Sequence, residues 1–167
     1  MLGHYENFPE LVHCETSFRT RYSPRTVQKI LLQALRKLNG TEFPLKEVTG
    51  LAGCFKASCK VGFDFGIADS LSFVYLNEQE LAKAEKFVRK SPLSIMDFLC
   101  VVRYYKIIEG EKPRPLRFDY YLLRFVFDGK NIRVLAYHER GTRRISPREL
   151  LDFIVMQIIN VLACRKR

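Results

Sequence analysis

No apolar run in this chain is long enough to cross a membrane as a helix. The longest, Phe153 to Ala163, is interrupted by Gln157 and Asn160 and falls short of the roughly 20 residues that a span requires. The opening stretch MLGHYENFPELVH has neither a basic head nor an apolar core, so no secretion signal is read there and no membrane partner is expected. The cysteines form no pattern: Cys14, Cys54, Cys59, Cys100 and Cys164 are five, an odd number, without a Cys-x-x-Cys pair. They read as reduced thiols of an intracellular protein, in cytoplasm or nucleus. Cys54 and Cys59 would point to opposite faces of a regular strand, so no metal site is assigned. Walker loop, dinucleotide glycine pattern, nucleophile elbow and His-Glu-x-x-His helix are all lacking. No cofactor and no catalytic residue follow, and whether the protein is an enzyme stays open.

Positive charge is what the chain does have. The formal net charge is +10 over 167 residues, and it is unevenly spread. Residues 41–111 carry nine basic and ten acidic side chains, whereas residues 112–148 carry ten basic and three acidic. A concentrated positive field favours phosphates or an acidic protein surface. The hydrophobic fraction of 47% and aromatic fraction of 13% imply a compact body of one domain over residues 1–167.

Three Ser-Pro steps, at Ser23, Ser91 and Ser146, each follow arginine or lysine closely. Serine caps a helix through its hydroxyl, and proline suits the first helical position, so all three predict helix starts. The first helix should run to about Leu38, the second briefly to about Leu99. Glu149 stands three residues after Ser146 and predicts a capping box. Cations at a helix N-terminus oppose its dipole. Arg140, Arg143, Arg144 and Arg148 around the last start therefore suggest a nearby anion, such as phosphate. Asn77 predicts a further cap, for a helix beginning at Glu78.

Strands are read from alternation. Leu11–Thr20, the stretch from Cys54 to Phe65, LSFVYL at Leu71–Leu76 and the run from Cys100 to Ile108 all fit. Leu116–Phe127 and Ile132–Glu139 form a hairpin about Asp128-Gly129. Placing Phe127 opposite Lys130 pairs Phe125, Leu123, Tyr121 and Asp119 with Ile132, Val134, Ala136 and His138 on an apolar face. The other face pairs Arg124 with Arg133, Leu122 with Leu135, Tyr120 with Tyr137 and Phe118 with Glu139. Opposed arginines repel. With the aromatics beside them they suit single-stranded nucleic acid, where rings stack on bases and cations meet phosphates. That face could equally be covered by another element. Asp119 opposite His138 reads first as a structural hydrogen-bonded pair.

The last helix, from Pro147, is apolar around most of its circumference, so it should be buried on more than one side. A curved sheet around it could leave a ligand cavity; a partner subunit, or a second copy, could instead cover residues 147–163.

The expected fold is thus α+β: a mainly antiparallel sheet with three to four helices, the long C-terminal helix packed on it. The expected function is nucleic-acid binding, RNA or single strands before duplex DNA, within a larger assembly. Arg124, Arg133, Arg140, Arg143, Arg144 and Arg148 would meet phosphates, and Phe118, Tyr120 and Tyr137 would stack. The alternatives are a scaffold subunit that meets an acidic protein partner, and a ligand-binding or catalytic domain using Asp119 and His138.

Overall fold

The computed structural model describes residues 1–50 and 59–165. In chain order the elements are β1 (Cys14–Arg19), α1 (Pro24–Leu38), β2 (Glu42–Pro44), α2 (Leu45–Thr49), β3 (Cys59–Asp69), β4 (Ser72–Tyr75), α3 (Glu78–Lys90), β5 (Ile95–Lys106), β6 (Arg114–Pro115), β7 (Asp119–Asp128), β8 (Asn131–Arg140) and α4 (Pro147–Cys164). Among these residues, eight strands make one sheet in the order β1-β8-β7-β5-β3-β2, with β4 added to β3 and β6 to β5. Every strand pair is antiparallel. The fold is α+β, and α4 packs on β1 and β8 as well as on α1 and α2. None of the described helices is long and apolar enough to cross a membrane.

Two of the Ser-Pro steps start helices. The Ser23 hydroxyl accepts from the Thr26 amide at the head of α1. Ser146 and Glu149 close a capping box at the head of α4, at 3.1 and 2.9 Å. Asn77 caps α3. The third step does the opposite of what local pattern predicts: Ser91 ends α3, and the helix expected to reach Leu99 is instead the start of β5. The Gln28 side chain explains part of this. It donates to the Leu93 carbonyl at 2.6 Å and accepts from the Leu93 amide at 2.9 Å. Those backbone groups are thereby held away from a helical ladder, and β7 pairs with the rest of the segment from Ile95 to Val102.

The helices cover one face of the sheet. Val61, Phe63 and Phe65 of β3, Met96, Phe98, Cys100, Val102 and Tyr104 of β5, and Tyr121, Leu123 and Phe125 of β7 are all buried on it. Phe153 of α4 stacks on Phe63 with ring centroids 5.5 Å apart. Burying each such aromatic or aliphatic side chain is worth about 1.5–3 kcal/mol. α4 is therefore enclosed by sheet, α1 and α2, and it exposes a stripe containing Arg148, Asp152, Met156 and Asn160. The part of the expected first β3 residues from Cys54 to Ser58 lies outside the described residues.

The faces of the β7–β8 hairpin are as expected, but its register is not. The hairpin closes at Asp128 and Asn131, with Gly129 (φ 59°) and Lys130 as the two turn residues. A shift of two keeps each side chain on its face and changes every partner. Arg124 lies opposite Leu135 and Arg133 opposite Val126, so the expected arginine–arginine pair does not form.

The opposite, outer face is partly covered by the chain's own beginning. β3 and β5 stop pairing at Phe65 and Cys100. Gly3 enters the widening gap: its amide donates to Ala68 at 2.7 Å, and its carbonyl accepts from Asp97 at 2.6 Å. Gly3 has φ 84°, a left-handed conformation that favours glycine, and a β-carbon there would also press on the end of the Leu93 side chain. Tyr5 and Phe8 then cross the sheet towards Arg124.

Candidate nucleic-acid interface

Asp119 opens β7 and is fully buried. Its Oδ1 accepts from His138 Nε2 at 2.9 Å and from the Arg143 amide at 2.7 Å. Its Oδ2 accepts from the Tyr104 hydroxyl at 2.5 Å and the Arg144 amide at 3.1 Å. A carboxylate has about four lone-pair sites, and all are used. Burial, then the hydrogen bond to Asp119, pushes the Tyr104 phenol far above its ordinary pKa. The Tyr121 hydroxyl donates to the Ile145 carbonyl, and burial and the Asp119 charge push its pKa up as well. This is a hub that ties the strand ends to the loop leading into α4.

The loop so held is the basic one. Arg143 has φ 56°, a left-handed conformation uncommon for residues other than glycine. The successive amides of Arg143 and Arg144 form a concavity of the kind that captures anions, and Asp119 already fills it. The Ser146 and Glu149 amides are likewise used by the capping box of α4. Glu149 of the same chain thus places one carboxylate at this helix start. What remains for an outside anion is the guanidinium groups.

Sheet register gathers those with others that sequence alone did not single out. β7 begins and β8 ends at the same edge of the sheet as the end of β5. There Lys106 pairs directly with Arg114, two like charges side by side. Arg117 follows β6, and Arg140 ends β8. Lys106, Arg114, Arg117, Arg140 and Arg143 are exposed, and among the described residues none has a carboxylate within 4.0 Å. Arg144 lies half-buried, its guanidinium 5.8 Å from the Tyr104 ring centroid. Phe118 is 38% exposed between Arg117 and β7. Tyr120 lies beneath the Arg140 guanidinium at 4.2 Å. Arg114 belongs to the charge excess beyond residue 111, whereas Lys106 lies in the near-neutral stretch before it; only their pairing across β5 and β6 shows that they meet.

Arg140 stands over Tyr120 on the outer face, Arg144 near Tyr104 on the helix-covered face, and Arg143 and Phe118 are exposed in the adjoining segments; the four other candidates are engaged within the chain. Arg124 makes a two-point ion pair with buried Asp97, at 2.7 and 2.8 Å, under Tyr5 and Phe8. Arg133 pairs with Glu15 at 2.7 Å. Tyr137 stacks on His13, centroids 4.6 Å apart. Arg148 reaches the Glu15 carbonyl of β1 and lies 3.8 Å from Asp152. Of the described thiols, Cys14 and Cys100 are buried and their pKa values pushed up by that burial, the opposite of what a nucleophile needs.

Comparison with family models, curated proteins and solved structures yields no match to this chain.

Proposed function

We propose that the protein binds single-stranded nucleic acid, RNA before duplex DNA, through the cationic edge formed by the ends of β5, β7 and β8 and the loop after β8. One observation carries this reading: five exposed cations lie at or next to the ends of these strands, Lys106 and Arg114 directly opposed, and none has a carboxylate of the described residues within 4.0 Å. Such repulsion is relieved by a polyanion, which releases counterions as it binds. Phe118 among the cations, and the Arg140 guanidinium spread over Tyr120, favour unpaired bases, whose faces can stack on a ring or a guanidinium plane.

An acidic protein partner is the competing reading, and salt dependence separates the two. A labelled single strand of about 20 nucleotides is titrated by fluorescence anisotropy between about 50 and 200 mM salt. The expected log–log slope is about −0.7 for each phosphate contact, and an Arg140→Ala, Arg143→Ala double variant should flatten it by about 1.4. Binding that ignores salt, or a double variant that binds as well as the parent at every salt concentration, rejects the proposal. Capture of an acidic peptide with no binding of the strand would replace it by the protein-partner reading.

A further inference from the structure

The strand β8 carries one residue too many at its end. Tyr121 pairs with His138, yet Tyr120 pairs with Arg140, and Glu139 is the extra residue of a bulge. Without it, strict alternation would turn Arg140 to the helix-covered face, with His138. The bulge instead brings Glu139 and Arg140 to the outer face together, beside Tyr120. Both border a cleft of about 250 Å³. Leu99 and Leu122 line it, and Tyr5 and Phe73 form its other wall, ring centroids 4.7 Å apart. The amino-terminal segment, which wedges between β3 and β5, is thus what makes a flat sheet face concave here.

We infer that this cleft takes one unpaired base and selects guanine. The inference rests on the proposed function for the strand that would deliver the base, but its chemistry belongs to the cleft. The Arg140 guanidinium, spread over Tyr120, and the Tyr5–Phe73 pair offer planar surfaces on which a base can stack. Glu139 is exposed, and among the described residues its carboxylate has neither a cation within 4.0 Å nor a hydrogen-bond partner. A carboxylate is an acceptor with two oxygens. Guanine alone among the four bases presents two adjacent donors, N1–H and N2–H, on its pairing edge. Adenine and cytosine place a ring acceptor next to their amino group, and that lone pair would face a carboxylate oxygen. Uracil has one N–H between two carbonyls. A carboxylate beside Arg140, unfavourable for phosphate in general, is accounted for by a base that requires it.

The test compares a uridine-rich strand with the same strand bearing one central guanosine. Guanosine should tighten binding roughly tenfold, the scale of one two-point base contact. Glu139→Gln should abolish that ratio, because its amide nitrogen meets a donor, while overall affinity rises as a negative charge leaves. Tyr120→Ala should weaken strands of every base. A guanosine-to-uridine ratio unchanged in Glu139→Gln overturns the inference. Equal, salt-sensitive binding of all strands by the parent also overturns it and leaves the proposed function standing. If no strand binds, guanosine monophosphate alone decides: amide shifts at Glu139, Arg140 and Tyr120 uphold the cleft without the cationic edge, and their absence removes both.

Discussion

Gly141 stands against Asp119 so closely that a β-carbon there would overlap the Asp119 carboxylate and the Phe118 carbonyl. Its φ of 122° also lies where side-chain-bearing residues are strained. A small residue at this one point lets the loop fold over the hub and point Arg143 outward. Gly141→Ala should therefore cost about 2 kcal/mol or more of stability, measured by urea denaturation. It should also weaken strand binding beyond that loss, because the arginine loop is no longer held.

Removing the hub itself should cost more. Asp119→Ala leaves the Tyr104 hydroxyl, His138 Nε2 and two amides without their acceptor. Unpaired buried polar groups cost about 1–3 kcal/mol each before relaxation. Denaturation should show a loss of several kcal/mol, and amide exchange should quicken at Arg143 and Arg144.

Arg124 separates charge that acts inside from charge that acts outside. Asp97 is fully buried, and Arg124 is its only cation within 4.0 Å among the described residues. Arg124→Ala should destabilise the fold by about 3–5 kcal/mol. The slope of strand affinity against salt should stay as in the parent under conditions where the variant remains folded. A reduced slope would mean that Arg124 meets phosphate after all.

Acid should act through His13. Slight desolvation of this exposed ring, and then the charges of Arg143 and His138, lower its pKa below the ordinary value. Its Nδ1 accepts from the His138 amide at 2.8 Å, which requires that nitrogen to be unprotonated. The unfolded chain takes up the proton first, so this contribution to stability is complete above about pH 6.5 and is lost as pH falls through the folded value. Proton NMR of the imidazole should show a midpoint below 6.5. His13→Phe, which cannot be protonated, should lose that part of the acid sensitivity.

The thiols should differ sharply in reactivity. Cys164 is exposed near the end of α4, whereas Cys100 is buried with a raised pKa. Brief treatment of the native protein with iodoacetamide, followed by peptide mapping, should label Cys164 and spare Cys100 until denaturant is added.

Local chemistry made much of this legible beforehand. Ser23-Pro24, Asn77 and the Ser146–Glu149 box mark real helix starts because a cap is a contact within four residues. Side-chain alternation sorted the two faces of β7 and β8, and Asp119 does meet His138, although their backbones are not directly opposite. Ser91-Pro92 misled because the same dipeptide can follow a helix as well as open one. There, Gln28 from a distant helix and the pairing with β7 decide the outcome.

What the sequence determined by itself is whatever depends on neighbours along the chain: caps, turns, the apolar period of each element and the excess of positive charge after residue 111. Tertiary structure decided which of those charges are available. Arg124 and Arg133 look the same in the sequence as Arg140 and Arg143, yet Asp97 and Glu15 neutralise the first two from strands 27 and 118 residues away. Lys106 and Arg114 acquire meaning only when β5 and β6 pair. Electrostatic energy depends on distance in space, and folding sets that distance independently of separation along the chain.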